Sequence, residues 1–350
     1  MRRILALLLV FVILLSISAC SPKPKGNIYL YGESHGVPAI MDLELEIWQD
    51  YYHNQGMRHL FIENCYFTTQ FLNLWMQAED DTILLELYDD WVGTTMHTES
   101  TLDFYRTIKE TCPGTIFHGT DIGHQYHNIG PRYLAYLEEN GMTDSEEYRL
   151  TQEAIEQGKT FYANSTEDWG YRENAMTENF IREFESLDGE SIMGIYGTAH
   201  VGLDSQNHTG DCDSMGKQLA SHFGEIVTSE KLARRAQAAA QPERVETLTI
   251  NGKDYEAEYF GLRELSASYY GYSQIEFWRI PHAADEFTKA DGKGTYLDVD
   301  SFPMLIEDGG AYVVKYTYPD GRSVRQFYLA DGTVFDGVEF AQEIYENTIG

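Results

Sequence analysis

Cations are scarce in this chain. Its 350 residues include 25 Lys and Arg against 56 Asp and Glu, a formal net charge of −31. A phosphate backbone is bound by basic patches, so this balance argues against nucleic acid as a partner. The acidity itself reads as a solubilising surface and implies no specific partner. Cysteine is sparse as well. Cys20, Cys65, Cys112 and Cys212 stand at no metal-like spacing, and no disulfide pairing can be read from them. Long apolar runs are missing. The one present, Ile4 to Ile17, has about fourteen residues, fewer than the roughly 20 a helix needs to cross hydrocarbon. What is plentiful is aromatic: 25 Tyr, 17 Phe and 5 Trp, with 43% hydrophobic residues overall, the composition of a folded acidic protein.

The N-terminus carries an address. Arg2 and Arg3 precede the short apolar run, which suits the central region of a signal peptide. The run closes in Ile17-Ser18-Ala19-Cys20, which resembles a bacterial lipobox. Residues 1–20 are expected to be a lipoprotein signal peptide. Cys20 would be acylated and hold the protein on the extracytoplasmic face of the cell membrane. An ordinary signal peptide cut near Ala19 is the alternative. Residues 21–26 are polar and Pro-rich, as a tether requires.

The remainder reads as two blocks. Residues 27–230 alternate strand-like and helix-like segments, with strands expected at 27–31, 58–62, 115–118 and 191–196. Pro38 opens a helix with Ile40, Leu43, Ile47 and Tyr51 on one face. Further helices are expected over Phe67–Glu86, Ser145–Gly158 and Trp169–Leu187. Such alternation predicts an α/β fold, a mainly parallel sheet with helices on both faces. Residues 231–244 read as a helical linker, so a chain ending near Arg235 is expected to fold alone and keep any pocket. Residues 245–350 alternate at period two and carry Pro319-Asp320-Gly321 and Asp331-Gly332 as turn signals, predicting a small β-rich (α+β) domain of unknown role.

Chemistry concentrates at the expected strand ends. Glu33 with His35, then Glu63, Asp121 and His200, each follow a strand-like segment. In an open parallel sheet those ends converge on one edge, where sites form. Arg172 adds to the set. It lies one turn before Met176, on the face that carries Phe180 and Phe184, near the positive end of its helix. A cation there needs a carboxylate or an anionic substrate group opposite it. His124-Gln125-Tyr126-His127, by contrast, reads as a polar loop.

Gly32-Glu33-Ser34-His35 and Gly197-Thr198-Ala199-His200 are two Gly-x-x-His motifs. With Glu63 in Phe61-Ile62-Glu63-Asn64 and Arg172 in Tyr171-Arg172-Glu173-Asn174-Ala175-Met176, they resemble the superfamily of erythromycin esterases, ChaN-like lipoproteins and TraB/Tiki proteins. Gly119-Thr120-Asp121 is closer to the erythromycin esterase branch. The resemblance covers about Ile28 to His200. It implies a hydrolase acting on a small-molecule or peptide substrate, by one of two routes. In the esterase-like route His35 is the general base, Glu63 orients or polarises it, and His200 with Arg172 binds the carbonyl oxygen. In the Tiki-like route a divalent metal held by His35, His200 and Glu33 or Glu63 activates water in a metal-dependent peptidase. The esterase-like route is the expectation. Two rivals differ in kind. Gly32-Glu33-Ser34-His35-Gly36 also fits the nucleophile elbow of an α/β-hydrolase, with Ser34, Asp121 and His200 as its triad. A ChaN-like chain would instead bind haem and catalyse nothing.

Overall fold

The computed structural model describes residues 26–163, 168–281, 283–287, 290–297, 302–335 and 338–349. The expected leader, Cys20 and residues 21–25 of the tether lie outside them. Among the described residues, five parallel strands form the first sheet: β1 Ile28–Glu33, β2 His59–Cys65, β3 Ile116–Asp121, β4 Ile192–Gly197 and β5 Val227–Lys231. Their order is β3-β2-β4-β1-β5, so β4 is inserted between the first two strands. That insertion creates a switch point, the place where open α/β sheets form clefts.

Side chains alternate across this sheet and define two cores. Ile28 and Leu30 of β1, Phe61 of β2, and Ile192 and Tyr196 of β4 pack on one face with Met176, Phe180 and Phe184. Tyr31, Leu60, Ile62, Met193 and Ile195 point to the other face and meet Ile40, Ile47, Trp48, Phe67, Trp75 and Leu102. Helices therefore cover both faces, as the alternation predicts. The helices around the site are α1 Pro38–Asn54, α2 Tyr66–Gln77, α3 Thr82–Asp90, α4 Glu99–Thr111, α5 Ile129–Glu139, α6 Glu146–Tyr162 and α7 Trp169–Glu185. Pro38 occupies the first turn of α1, and Asp168 caps α7 by accepting from the Tyr171 N–H.

Three local expectations need correction. The stretch Phe67–Glu86 is two helices, because Asp80 captures the Thr82 N–H and the polar segment 79–81 has no apolar side to bury. Strand β5 was hidden by its sequence, Val-Thr-Ser-Glu-Lys, since an edge strand can pair its backbone with little apolar content. After α8 Met215–Phe223, the segment read as a linker contributes a helix, α9 Leu232–Ala239, whose Leu232 and Ala233 are buried in the core beside α1.

The C-terminal block is a seven-stranded antiparallel sheet with its own cores. Its strands are β6 Arg244–Ile250, β7 Lys253–Glu264, β8 Gln274–Arg279, β9 Gly292–Tyr296, β10 Ala311–Thr317, β11 Ser323–Phe335 and β12 Val338–Ile344. The turn at Pro319–Gly321 joins β10 to β11. Asp331-Gly332 lies instead within β11, where the register with β12 shifts between Ala330 and Val334 and Gly332 takes a φ of 82°. No helix among the described residues is long and apolar enough to cross a membrane. Cys65, Cys112 and Cys212 are free thiols.

Candidate active site

Glu63 is the centre of the strand-end cluster. The β2–β3 register shifts between Ile62 and Cys65, a bulge that turns the Glu63 carboxylate toward β4. Its Oε2 accepts the backbone N–H of Gly197 at 2.5 Å, and its Oε1 accepts Arg172 Nη2 at 2.5 Å. His200 Nε2 lies 3.4 Å from Oε1, and His35 Nε2 lies 3.8 Å from Oε2. Glycine at 197 leaves room for this approach. A Cβ there would stand 3.2 Å from Glu63 Oε2 and 3.3 Å from His35 Nε2.

Each cation around Glu63 is held from behind by another carboxylate. Arg172 donates through Nε and Nη2 to the two oxygens of Asp121, at 3.0 and 2.6 Å. This bidentate fork satisfies the requirement for an acid opposite that helix position. His200 donates from Nδ1 to Glu173 at 2.6 Å, and Glu173 also accepts the Met215 N–H. His35 donates from Nδ1 to Glu33 at 3.0 Å, leaving Nε2 facing Glu63 and the solvent side. His124 pairs with Asp121 at 3.1 Å and with the Tyr162 hydroxyl.

The charges follow from these contacts. Burial disfavours the imidazolium of His35, but the carboxylates of Glu33 and Glu63 outweigh it and push the group up to about 9. The same contest, with Glu63 and Glu173 opposing burial, raises His200 to about 10. Burial works against ionising Glu63, yet His200, His35 and Arg172 hold it well below the usual carboxylate range. Asp121 is likewise depressed, by Arg172 and His124 against burial. The resting cluster is thus a carboxylate ringed by cations.

A cleft of about 510 Å³ opens over this cluster, lined by His35, Glu63, Asn64, Asp121, His124 and Arg172. The loop Trp91–Met96 and Tyr269 of the C-terminal block form its rim. Glu33, His35, Glu63, Asp121, Arg172 and His200 lie in or directly behind this cleft, with differences of role. His200 is 6% exposed and does not line the cleft; it braces Glu63 from below. Glu33, rather than Glu63, holds the Nδ1 side of His35. The C-terminal block also reaches the site. Arg263, on β7, donates to the backbone carbonyls of His35 and Gly36, fixing the turn where Gly36 takes a φ of 67°.

Sequence reasoning passed over Glu173, Asn64, Arg263 and Glu44, and read His124, which pairs with Asp121 and lines the cleft, as part of a polar loop. A signal existed for two of them. Glu173 precedes Met176 and Thr177 on the buried stripe of α7, and Glu44 falls between Ile40 and Ile47–Trp48 on that of α1. An acid on an apolar stripe marks a buried partner or a site. Leu43, assigned to that stripe from the sequence, is only half-buried.

The alternative chemistries meet this geometry differently. Among the described residues no group of three His, Cys, Asp or Glu is arranged to hold a metal. Glu33 does not join His35 and His200 in a ligand set, because it is engaged behind His35 at Nδ1, and the two Nε2 atoms face different oxygens of Glu63. Glu63 already neutralises a guanidinium, so a dication beside it would meet Arg172. The Ser34 triad is not assembled either. Asp121 is bound to Arg172 and His124, and His200 to Glu173.

No protein-family model and no curated protein matches this chain. Among solved structures it is similar to an erythromycin esterase variant in its open conformation, at 11% identity over 66% of this chain and 75% of that one, with a TM-score of 0.44. It is similar to a succinoglycan biosynthesis protein at 13% identity, over 58% and 65% of the two chains, with a TM-score of 0.43. A Bacillus cereus protein matches at 14% identity, over 93% and 86%, with a TM-score of 0.45. The first carries the name of a branch that the Gly-x-x-His motifs resemble, but likeness at this level carries no weight for chemistry. That rests on the geometry of the cleft.

Proposed function

We propose that this chain is a hydrolase in which His35 activates water against an ester or related carbonyl bond. The observation that supports it is the Glu33–His35 pair. A carboxylate on Nδ1 fixes the tautomer and leaves Nε2 as the basic atom at the edge of a cleft. In its neutral form His35 takes a proton from water there. Two donors face the oxygen that gains charge: the Nη1 group of Arg172, which no acceptor among the described residues occupies, and the Asn64 amide, which lines the same cleft. Glu63, Asp121, His200 and Glu173 hold these groups in place. The residues do not fit a divalent metal, and no step passes through one. Acylation at Cys20 would tether the enzyme to the outer face of the membrane, within reach of extracytoplasmic substrates.

The test is a panel of ester and peptide substrates with and without a chelator. Ester turnover that survives chelation, falls about 10²–10⁴-fold in His35→Ala and persists in Ser34→Ala agrees with this mechanism. A covalent adduct trapped on Ser34 would refute it.

A further inference from the structure

A second, smaller space of about 50 Å³ opens off the main cleft between α1, α4 and the sheet edge. The two spaces share His35, Glu63, Asn64 and Met96, so the smaller one is an annex of the larger. Its walls are apolar: Met41, Ile62, Phe104 and Ile195. At its inner end stands Glu44, 2% exposed, whose Oε1 has no hydrogen-bond partner among the described residues. Tyr105, 2% exposed, lines the annex too.

The acids around the annex can be matched with cations one by one. Glu63 has Arg172 and His200, and Glu33 has His35. Glu44 has none among the described residues: its ionic neighbour is Glu33, another acid. Burial, reinforced by Glu33, holds Glu44 well above the usual carboxylate range and favours its protonated form. A buried carboxyl with an open oxygen costs stability in the free protein. An acid kept there with an open oxygen facing a space offers a counter-ion to a cation that enters it.

We propose that the annex is a subsite for a small organic ammonium group, with Glu44 as its counter-ion and Phe104 and Tyr105 as its aromatic walls. Aromatic faces and a desolvated carboxylate are the two elements that recognise such cations. The subsite defines a substrate class for the cleft, and it rests on the hydrolase reading only for the reaction after binding. An amine-bearing substrate seated here would place its reactive bond toward His35, Glu63 and Asn64, which border both spaces. Its charge would also oppose the proton on His35 and favour the neutral base. On binding, the carboxylic acid of Glu44 gives its proton to solvent and becomes the carboxylate that pairs with the ammonium, so one proton is released per cation bound.

The experiment uses the purified protein and ethylammonium, whose three heavy atoms suit the annex, without any turnover. Calorimetry in two buffers of different ionisation heat should show binding on the order of 1 mM, the range open to so small a ligand. It should show net proton release, with ethanol binding at least 10-fold more weakly. Glu44→Gln should lose the proton release and weaken binding at least 10-fold. Glu44→Met should raise the melting temperature while abolishing binding, because it removes an uncompensated buried acid. Ethanol binding as well as ethylammonium, no proton release, or a lower melting temperature in Glu44→Met would each overturn the subsite. Ester hydrolysis of neutral substrates could persist in that case, so failure here is distinct from failure of the hydrolase reading.

Discussion

Replacing Arg172 with Met tests the keystone of the site without any knowledge of the substrate. The guanidinium makes three charge-assisted hydrogen bonds, two to Asp121 and one to Glu63, all well buried. Met keeps most of the stem's volume but leaves two carboxylates facing each other in the interior. Breaking a buried ion pair from one side costs roughly 3–5 kcal/mol. At roughly 2–4 °C per kcal/mol for a domain of this size, the melting temperature should fall by about 6–20 °C. The pH dependence identifies the cause. In the native protein Asp121 and Glu63 are held below their unfolded values. The stability they contribute is present above those values, near pH 4, and is lost as pH falls through the lower folded values. In Arg172→Met the depression is smaller, since only His200 and His35 still act on Glu63 and His124 on Asp121, so the gap between variant and native protein should be full near neutral pH and narrow as pH falls below about 4. Denaturant unfolding at pH 7 and at about pH 3 measures both. A loss below about 1 kcal/mol, or one that is the same at both pH values, would show that Arg172 contributes only its stem.

The same geometry sets other outcomes. If neutral His35 is the working base, kcat/KM should rise with pH toward a plateau beyond about 9, and Glu33→Gln should shift that limb to lower pH; a limb near the ordinary histidine value of about 6.5 would exclude the Glu33–His35 arrangement. Arg263→Ala should lower kcat by about 10-fold or more with little change in unfolding, because it frees the His35 turn; unchanged turnover would remove the C-terminal block from the site. Cys20→Ser should abolish acylation and membrane retention, read by fractionation and mass spectrometry; a variant still sedimenting with membranes would defeat the lipoprotein assignment.

The sequence alone determined the alternation that builds the first sheet. Period-two burial in β1, β2 and β4 needs no tertiary information, because each strand must hide one face under each helix layer. It also determined that Glu33, His35, Glu63, Asp121 and His200 would meet, since parallel strands deliver their C-terminal residues to one edge. The charge argument for Arg172 called for a carboxylate or an anionic substrate group opposite it. Which acid was a tertiary decision: Asp121 and Glu63 reach it only because β4 inserts beside β2 and a bulge at Ile62–Cys65 re-aims Glu63. Tertiary packing likewise chose Glu33 over Glu63 as the support for His35, and set His200 behind the cleft rather than in it. Strand β5 and the clamp by Arg263 left no local signal. The first is an edge paired through its backbone with one buried apolar side chain, Val227, and the second bonds carbonyls more than two hundred positions earlier in the chain. Local pattern records what a residue must be hidden from, and only the folded chain records what it is hidden against.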